Sequence, residues 1–410
     1  MEKLTNPFKP GAGHQPPYLA GREKERDEFK RLLKQETILE NMVLTGLRGV
    51  GKTVLLETLK PLAIESGWLW VGTDLSESTS TSEENLAIRL LADLSPITSS
   101  IHLKVGQRNI IGFASKKQTK YKTLDFEALF DIYRQTPGLT LDKIKAVLEL
   151  AWGAISQSGA NIRGIVFAYD EAQNLSDHQD KEQFPMALLL DTFQSLQRKG
   201  LPLMLVLTGL PTLFPKLVDS RTFAERMFHV VDLEKLGDED SRQAITKPIE
   251  DSESPIVLTP QSVDTIVKMS GGYPYFIQFI CKEVFDVFIQ LADKGKKASV
   301  PAEKIERKLD ADFFSGRWSR ATDRQRDLMV AIASLKRQDG EFTVQEVVKQ
   351  SKKTSDNPFS NSHVNQMLAT LCDQGLVFKN RHGKYSFAIP LLGEYILREK
   401  ERDEEEGGAI

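Results

Sequence analysis

Residues 46–53 read GLRGVGKT and fit the pattern G-x-x-x-x-G-K-[ST] at every position. An apolar segment, Asn41–Thr45, precedes them, and a segment with helical periodicity, Val54–Leu59, follows. A strand, a glycine-rich turn and a helix in this order form a loop whose backbone N–H groups can surround phosphate groups. The sequence therefore predicts a phosphate-binding loop, called the phosphate loop below, at residues 46–53.

The residue types of the phosphate loop suit a nucleoside triphosphate. Gly46, Gly49 and Gly51 let the backbone wrap around phosphates that a side chain would obstruct. Lys52 is predicted to reach the β- and γ-phosphate oxygens, and the hydroxyl of Thr53 to bind Mg²⁺. The structural alternative is a glycine-rich turn that binds nothing. The complete predicted nucleotide-binding segment is Gly46, Leu47, Arg48, Gly49, Val50, Gly51, Lys52, Thr53 and Val54.

An acidic pair ends a second apolar segment. Residues 165–171 read IVFAYDE, so a predicted strand delivers Asp170 and Glu171 at its C-terminal end, where open parallel sheets bind ligands. Asp170 is predicted to hold Mg²⁺ through water, and Glu171 to polarise the attacking water as a general base. An acidic pair after a strand is common, and it gains significance here from the phosphate loop upstream.

The pattern of predicted elements indicates an α/β protein. Strands predicted at 41–45, 68–73, 164–169, 203–208 and 228–233 alternate with helices, which is typical of a parallel P-loop NTPase sheet flanked by helices. The segment Ile101–Tyr121 is compatible with a hairpin. Helices without strands follow at 238–251, 260–269 and 274–294. From Arg320 the order becomes helix, helix, helix, strand, basic turn and strand, which is the order of a winged helix-turn-helix.

These changes of pattern define the predicted domains. They are a base domain at 1–236 that starts with an extended arm at 1–18, an all-helical lid at 237–318, a winged-helix domain at 319–402 and an acidic tail at 403–410.

The arrangement resembles the AAA+ ATPases, in particular the branch that contains the STAND switch ATPases and the archaeal origin-recognition-type initiators. Residues 18–29, YLAGREKERDEF, resemble the adenine-contacting motif of that branch, in which Leu19, Gly21 and Arg22 would line the base pocket. The resemblance extends over residues 17–400 and implies ATP and Mg²⁺ as cofactors and ATP hydrolysis as the activity.

Two further segments carry the resemblance and assign catalytic roles. VLTGLP, residues 206–211, places Thr208 where the family has its sensor 1 residue, which reports the γ-phosphate to the water position. SRTFAERMF, residues 220–228, resembles the segment that carries an arginine finger for a neighbouring subunit, with Arg226 as first candidate and Arg221 as second. The structural alternatives are a strand-end hydroxyl and a surface arginine in a salt bridge.

The segment GGYPYF, residues 271–276, departs from the initiator pattern. Pro274 occupies the place of the sensor 2 arginine of many AAA+ proteins, as in STAND proteins, whose Gly-x-Pro motif, here starting at Gly272, contacts the nucleotide. The predicted lid thus lacks a charge that reads the γ-phosphate, which implies slow hydrolysis and a nucleotide-dependent switch. The structural alternative is a simple helix start, since proline suits a first turn.

The predicted winged helix has features of a DNA-binding module. Val364, Leu368 and Leu371 recur at helical spacing and are predicted to face a core. The opposite face would present polar residues to base edges, and basic residues on either side of it could contact phosphates. The alternatives are a packing or protein-docking module. The polar face is His363, Asn365, Gln366, Ala369 and Thr370, and the basic residues are Lys349, Lys352, Lys353, Arg381, His382 and Lys384.

Composition narrows the class of protein. Hydrophobic residues make up 40% and charged residues 27% of the 410 residues, which is typical of a folded domain protein, and a net charge of -3 argues against one that wholly coats nucleic acid. Cys281 and Cys372 alone cannot form a disulfide framework or a zinc site. Because no apolar run has the length of a signal peptide or a membrane span, we expect a cytoplasmic protein with no membrane partner.

The sequence therefore predicts a switch with slow Mg²⁺-dependent ATP hydrolysis. Its predicted partners are ATP and ADP, a second copy through Arg226, and an unidentified effector on a separate chain. Double-stranded DNA is a further candidate partner, through the winged helix. The basic run KKQTKYK, Lys116–Lys122, is either another DNA or partner contact or a solvated loop. The alternative function is a signalling or defence scaffold that assembles on ATP without binding DNA.

Overall fold

The computed structural model of the chain describes residues 5–11, 13–100, 102–105, 120–252, 254, 256–292, 300–335, 340–355, 357–381 and 383–407. The chain divides into two compact units. The first comprises Met1–Arg22, Gly46–Val54 and Leu233–Ile410, and the second comprises Glu23–Thr45 and Leu55–Asp232. The phosphate loop therefore belongs to the same unit as the C-terminal half of the chain.

Strands and helices alternate through the first half of the chain. In chain order they are α1 (Glu23–Leu32), β1 (Asn41–Gly46), α2 (Lys52–Glu65), β2 (Trp68–Val71), α3 (Glu83–Ser99), β3 (His102–Val105), β4 (Lys120–Thr123), α4 (Phe126–Gln135), α5 (Thr140–Ser156), β5 (Gly164–Tyr169), α6 (Pro185–Arg198), β6 (Leu203–Gly209), α7 (Leu213–Ser220), α8 (Ala224–Met227) and β7 (Phe228–Leu233).

A five-stranded sheet with the order β2-β5-β6-β1-β7 organises the second unit. The pairs β2–β5, β5–β6 and β1–β6 are parallel. Strands β1, β5 and β6 are buried over their full length, because central strands of a sheet covered on both faces consist almost entirely of apolar residues. The predicted parallel sheet flanked by helices is confirmed. Since these strands run in one direction, the residues that follow each of them leave the sheet at the same edge.

The core of the second unit lies between this sheet and the helices α3, α5 and α6. Phe167 of β5 meets Phe193 of α6 edge to face, with ring centroids 5.0 Å apart. Helix α4 begins after Asp125, whose side chain accepts a hydrogen bond from the Ala128 backbone N–H at 2.9 Å.

The predicted hairpin in this region corresponds to β3 and β4, which pair antiparallel. Of the basic run Lys116–Lys122, residues 116–119 lie outside the described residues and the last three belong to β4.

The second half of the chain is mostly helical. Its elements are α9 (Asp238–Asp251), α10 (Pro260–Ser270), α11 (Pro274–Ala292), α12 (Ala302–Leu309), a π-helical turn at Asp310–Phe314, α13 (Ser315–Trp318), α14 (Asp323–Ala333), α15 (Val344–Thr354), α16 (Asn361–Asp373), β8 (Val377–Arg381), β9 (Lys384–Phe387) and α17 (Leu392–Gly407).

Elements α14 to β9 have the predicted winged-helix order. Strands β8 and β9 are antiparallel, and Phe342, ahead of α15, pairs with Tyr385 of β9 in an isolated bridge. In α16, Val364, Leu368 and Leu371 are buried as predicted, together with Met367. The fold class is thus an α/β P-loop sheet followed by an all-helical segment and a winged helix.

Described residues near the N-terminus contact a helix of the first unit. Asn6 donates hydrogen bonds to the carbonyl of Lys282 and to Asp286 of α11, at 2.9 and 2.7 Å, and the buried ring of Phe8 contacts Phe285. The arm has no helix or strand within its described residues but is anchored to α11.

The predicted acidic tail is part of α17 as far as Gly407, and residues 408–410 lie outside the described range. Arg398 and Arg402 of α17 pair with the buried Asp310, at 2.5 and 3.1 Å. The predicted domain boundaries themselves stay a prediction. No helix in the described ranges combines the length and the hydropathy that a membrane span requires.

Candidate functional site

The conformation of the phosphate loop depends on glycine for two different reasons. A Cβ atom at Gly46 would lie 2.6 Å from the carbonyl oxygen of Leu233, so packing excludes a side chain there. Gly51 has φ of +91°, yet a Cβ atom at this position would meet nothing within 4 Å. The space beside Gly51 is a cradle that a side chain would fill, as expected where a phosphate approaches the backbone.

Lys52 places a positive charge inside this loop. It is the first residue of α2 and is only 9% exposed, and its Nζ donates hydrogen bonds to the carbonyls of Gly46 and Leu47 at 2.9 and 3.0 Å. Thr53 follows in the same first turn, at the positive end of the helix dipole. An ammonium group held by carbonyls beside a helix N-terminus suits an anionic ligand.

Arg22 supports the loop from the N-terminal side. Its buried guanidinium donates from Nη2 to the carbonyl of Val50 at 2.9 Å and to that of Glu234 at 2.8 Å. Leu19 is half-buried, and Gly21 has φ of +62° where a Cβ atom would clash with Asp240. The sequence predicted these three residues to line a base pocket. The structure places Arg22 on the backbone of the phosphate loop itself.

The GGYPYF segment also contacts the loop. Helix α11 begins at Pro274, and the backbone N–H of Tyr275 donates to the carbonyl of Gly49 at 3.2 Å. The carbonyl of Gly272 accepts from the Leu236 N–H at 2.8 Å. The sequence singled out Pro274 but not Tyr275, because a hydrogen bond from a backbone amide has no signature in residue type.

The acidic pair lies beside the predicted sensor threonine. Asp170 is buried and accepts hydrogen bonds from the Thr208 hydroxyl and from the backbone N–H of Glu171, the latter at 2.7 Å. Glu171 has φ of +50°, in the left-handed region that non-glycine residues seldom adopt, and Gln173 donates to its carboxylate. The structure therefore brings Thr208 next to the acidic pair, which the sequence had proposed from a different segment.

Asp74 is a fourth member of this group that the sequence reasoning missed. It directly follows the predicted strand at 68–73, and this position after a strand was the signal that could have identified it. The backbones of Asp74 and Asp170 form an isolated parallel β-bridge. In this bridge the N–H of Leu75 donates to the Asp170 carbonyl at 2.9 Å. Partial burial raises the pKa of Asp74, and the charges of Asp170, Glu171 and Glu57 raise it further.

The donor set fits a hydrated magnesium ion better than a fully enclosed metal. Within the described ranges, no group of three or more His, Cys, Asp or Glu side chains could hold a metal by itself. Mg²⁺ usually keeps several waters and binds one or two carboxylates together with substrate phosphates. The buried carboxylate of Asp170 is a donor of the type that this kind of coordination uses.

The two candidate finger arginines differ in their surroundings. Arg221 forms a bidentate ion pair with Asp191, with its Nε and Nη2 at 2.9 and 2.7 Å from the carboxylate oxygens. Arg226 is exposed, and its side chain has no hydrogen bond or ion pair with any described residue. Arg226 is therefore the arginine whose guanidinium is available to a second molecule.

The sheet, the phosphate loop and the helical and winged-helix segments together define an α/β P-loop fold. The chain is similar in structure to the Walker-type ATPase PABY2304 of Pyrococcus abyssi, with a TM-score of 0.57 and 16% identity over 93% of this chain and 97% of that one. It is also similar to the ORC2 protein of Aeropyrum pernix in its ADP form, with a TM-score of 0.53 and 13% identity over 96% and 99%. At these identities the similarity shows the fold alone.

Sequence comparisons add one match. Residues 311–396, which include the winged helix, match a family described as a domain of unknown function, DUF8462. Among curated proteins, none matches the sequence of this chain.

Replacing Asp74 by Asn tests the electrostatics of the acidic group. The raised pKa means that the folded protein binds the Asp74 proton more tightly than the unfolded chain, so this contribution favours folding at low pH and is lost as the pH rises through the raised pKa. Without nucleotide and Mg²⁺, we therefore expect Asp74→Asn to raise the thermal unfolding midpoint at pH 7 by about 1–2 °C, a small gain because Asp74 is solvent-exposed.

The gain should shrink when the same scans are run at pH 5. The control Asp180→Asn removes an exposed carboxylate from the same unit and should change the midpoint at neither pH. A lower midpoint for Asp74→Asn at pH 7 would contradict this account of the acidic group.

Proposed function

We propose that this chain is an ATP-binding AAA+ ATPase that acts as a nucleotide-dependent switch with slow hydrolysis. The observation that carries the proposal is the buried ammonium of Lys52 inside a glycine loop whose cradle at Gly51 is open. Backbone N–H groups, a lysine and a helix N-terminus together favour phosphate groups over other anions.

In the proposed complex, the phosphate loop binds the β- and γ-phosphates. Lys52 would exchange the carbonyls of Gly46 and Leu47 for phosphate oxygens and stabilise the charge that develops during transfer. The adenine base would lie near Leu19, Gly21 and Arg22, and Pro274 would contact the nucleotide from the predicted lid. Arg22 would also keep the loop in shape through its hydrogen bond to Val50.

In the proposed reaction, water attacks the γ-phosphate in line. Glu171 would orient and polarise that water. The Thr208 hydroxyl would keep its hydrogen bond to the carboxylate of Asp170. Bound Mg²⁺, held by Thr53 and Asp170, would neutralise charge on the phosphates. Arg226 of a second copy would add positive charge, which suits its exposed position.

The switch follows from the contacts of the predicted lid. Helix α11 contacts the phosphate loop through the amide of Tyr275, and the GGYPYF segment itself contains no charged side chain. A change in the loop on hydrolysis would therefore act on the position of α11 and, through the same unit, on the winged helix. The effector and the cytoplasmic location stay predictions.

Two substitutions separate nucleotide binding from hydrolysis. We expect Lys52→Ala to abolish ATP binding, because the loop loses its cation. We expect Glu171→Gln to retain binding and to lower kcat by roughly 10²-fold or more, because an amide cannot accept the proton of water. Calorimetry with Mg-ATP and release of inorganic phosphate measure the two effects.

Each substitution has a matched control. Lys60→Ala removes an exposed lysine of α2, and Glu182→Gln changes an exposed glutamate that shares the left-handed backbone of Glu171. Neither control should alter binding or turnover. Unchanged hydrolysis in both Lys52→Ala and Glu171→Gln would remove the assignment.

DNA binding is a second candidate function, and the surface of α16 favours it. His363, Asn365, Gln366, Ala369 and Thr370 are all exposed, on the side of α16 opposite to its buried residues. Lys349, Lys352 and Lys353 of the preceding helix are exposed as well, and Lys384 is half-buried in the wing, whereas His382 and the side chain of Arg381 lie outside the described residues.

A double substitution tests this candidate. The variant Lys352→Ala with Lys353→Ala should bind duplex DNA more weakly, and its salt dependence should fall by about one unit for each lysine that contacts a phosphate. Lys30→Ala on α1, combined with Lys34→Ala just after that helix, removes two exposed lysines from the other unit and should leave binding unchanged.

Absence of salt-dependent DNA binding by the wild-type chain would rule out this second function. ATP-dependent assembly on a sizing column that is lost in Arg226→Ala would then favour the alternative function, a signalling or defence scaffold that assembles on ATP without binding DNA.

A further inference from the structure

The side-chain amide of Gln173 connects the acidic pair to the end of β6. Its Nε2 donates a hydrogen bond to the carboxylate of Glu171, and its Oε1 accepts one from the Leu210 N–H at 3.0 Å. Leu210 directly follows β6, and Thr208 of that strand donates to Asp170. The end of β6 therefore contacts both carboxylates of the acidic pair, one of them through Gln173.

The orientation of the Gln173 amide is fixed by its partners. The Leu210 N–H can only donate, so the oxygen of the amide must face it and the NH₂ group must face Glu171. Gly209 allows this approach, because a Cβ atom there would lie 2.5 Å from Oε1 of Gln173. Exchanging the two ends of the amide would set its NH₂ group against the Leu210 N–H, so the side chain has one favourable orientation.

The backbone of Gln173 is held in place as well. Gln173 lies in a 3₁₀ turn at Ala172–Asn174, and its carbonyl accepts a hydrogen bond from Lys216 Nζ of α7 at 2.8 Å. The side chain of Asn174 donates to the Leu75 carbonyl at 2.9 Å. The turn is thus bound on both sides to other segments of the second unit, and the Gln173 amide is a fixed donor for its partner.

The carboxylate of Glu171 depends on that donor. Glu171 is exposed, and within the described ranges its carboxylate has no hydrogen bond or ion pair other than the one from Gln173. An exposed glutamate side chain is free to adopt several rotamers, which point its carboxylate in different directions. A single bond through Oε2 selects among them and leaves Oε1 able to accept a hydrogen bond from water.

We propose that Gln173 is a positioning residue that holds the carboxylate of Glu171 in one orientation and connects it to the end of β6. The proposal rests on the role of Glu171 as general base proposed above. Gln173 acts through Glu171, because it keeps one carboxylate oxygen free for the attacking water. Since the same amide binds the Leu210 N–H, a movement of the end of β6 changes the position of the base.

A double-mutant cycle on the full chain tests this role. Gln173→Met keeps a side chain of similar length and removes both hydrogen bonds of the amide. We expect it to lower kcat for phosphate release from Mg-ATP by roughly tenfold and to change the dissociation constant of Mg-ATP by less than about twofold, because it disturbs the base alone. In the Glu171→Gln background, the same substitution should lower kcat by less than about twofold, since the base is already absent.

A second variant separates the two hydrogen bonds of the amide. The carboxylate of Gln173→Glu can still accept from the Leu210 N–H but cannot donate to Glu171. We expect it to lose kcat by about as much as Gln173→Met, and this result decides the matter if Gln173→Met does not fold. Full activity of Gln173→Glu would assign Gln173 a structural role at Leu210 and overturn the proposal.

The remaining outcomes are distinct from one another. The control Gln179→Met changes an exposed glutamine of the same unit and should alter neither kcat nor the dissociation constant. An unchanged kcat in Gln173→Met, or the same loss in the wild-type and Glu171→Gln backgrounds, would overturn the positioning role while leaving ATP hydrolysis intact. A wild-type chain that releases no phosphate would instead contradict the proposed function.

Discussion

The phosphate loop keeps an open shape because groups outside it bind its carbonyls. Arg22 donates to Val50 and the amide of Tyr275 donates to Gly49, so residues from the N-terminal motif and from α11 both fix the loop. Inside the loop, Lys52 Nζ donates hydrogen bonds to the carbonyls of Gly46 and Leu47. Because an unpaired buried carbonyl or ammonium is costly, these bonds couple the loop to its surroundings. These contacts join the phosphate loop to the N-terminal motif and to α11 within the first unit.

The same coupling gives the C-terminal half of the chain a physical connection to the phosphate loop. Rings of Tyr275, Phe276, Phe313 and Phe314 contact one another in sequence, and Phe314 stacks on Tyr395 of α17 at 5.2 Å. Aromatic layers of this kind are closely packed and rearrange in discrete steps rather than gradually. A change at Gly49 therefore has a continuous path of packed side chains to the last helix.

The sequence was most informative where chemistry or burial is local. The buried strands β1, β5 and β6 are nearly continuous apolar runs, and each was predicted from that run alone. The glycines, Lys52 and Asp170 follow a recognisable order along the chain, so residue types and spacing were enough to predict the phosphate loop and the acidic strand end. Whether each residue has its predicted catalytic role stays a prediction.

The features that the sequence did not reveal depend on contacts between residues that are distant along the chain. Helix α4 is short and follows an ambiguous segment, and it was not predicted. The predicted acidic tail continues helix α17, and Arg398 and Arg402 of that helix pair with Asp310, far away in the sequence. Tyr275 contacts the phosphate loop through its backbone amide, and Arg317 contacts the ring of Phe313. Neither kind of contact is visible in a single sequence, because both depend on which segments meet in the fold.

Amide hydrogen exchange shows whether the phosphate loop binds phosphate groups through its backbone. Mg-ADP should slow exchange in peptides covering residues 46–54, because the N–H groups of the loop become donors to phosphate oxygens. The first turn of α11 should be protected as well, through the bond between Tyr275 and Gly49. Nucleotide binding with unchanged exchange at residues 46–54, or no binding at all, would contradict it.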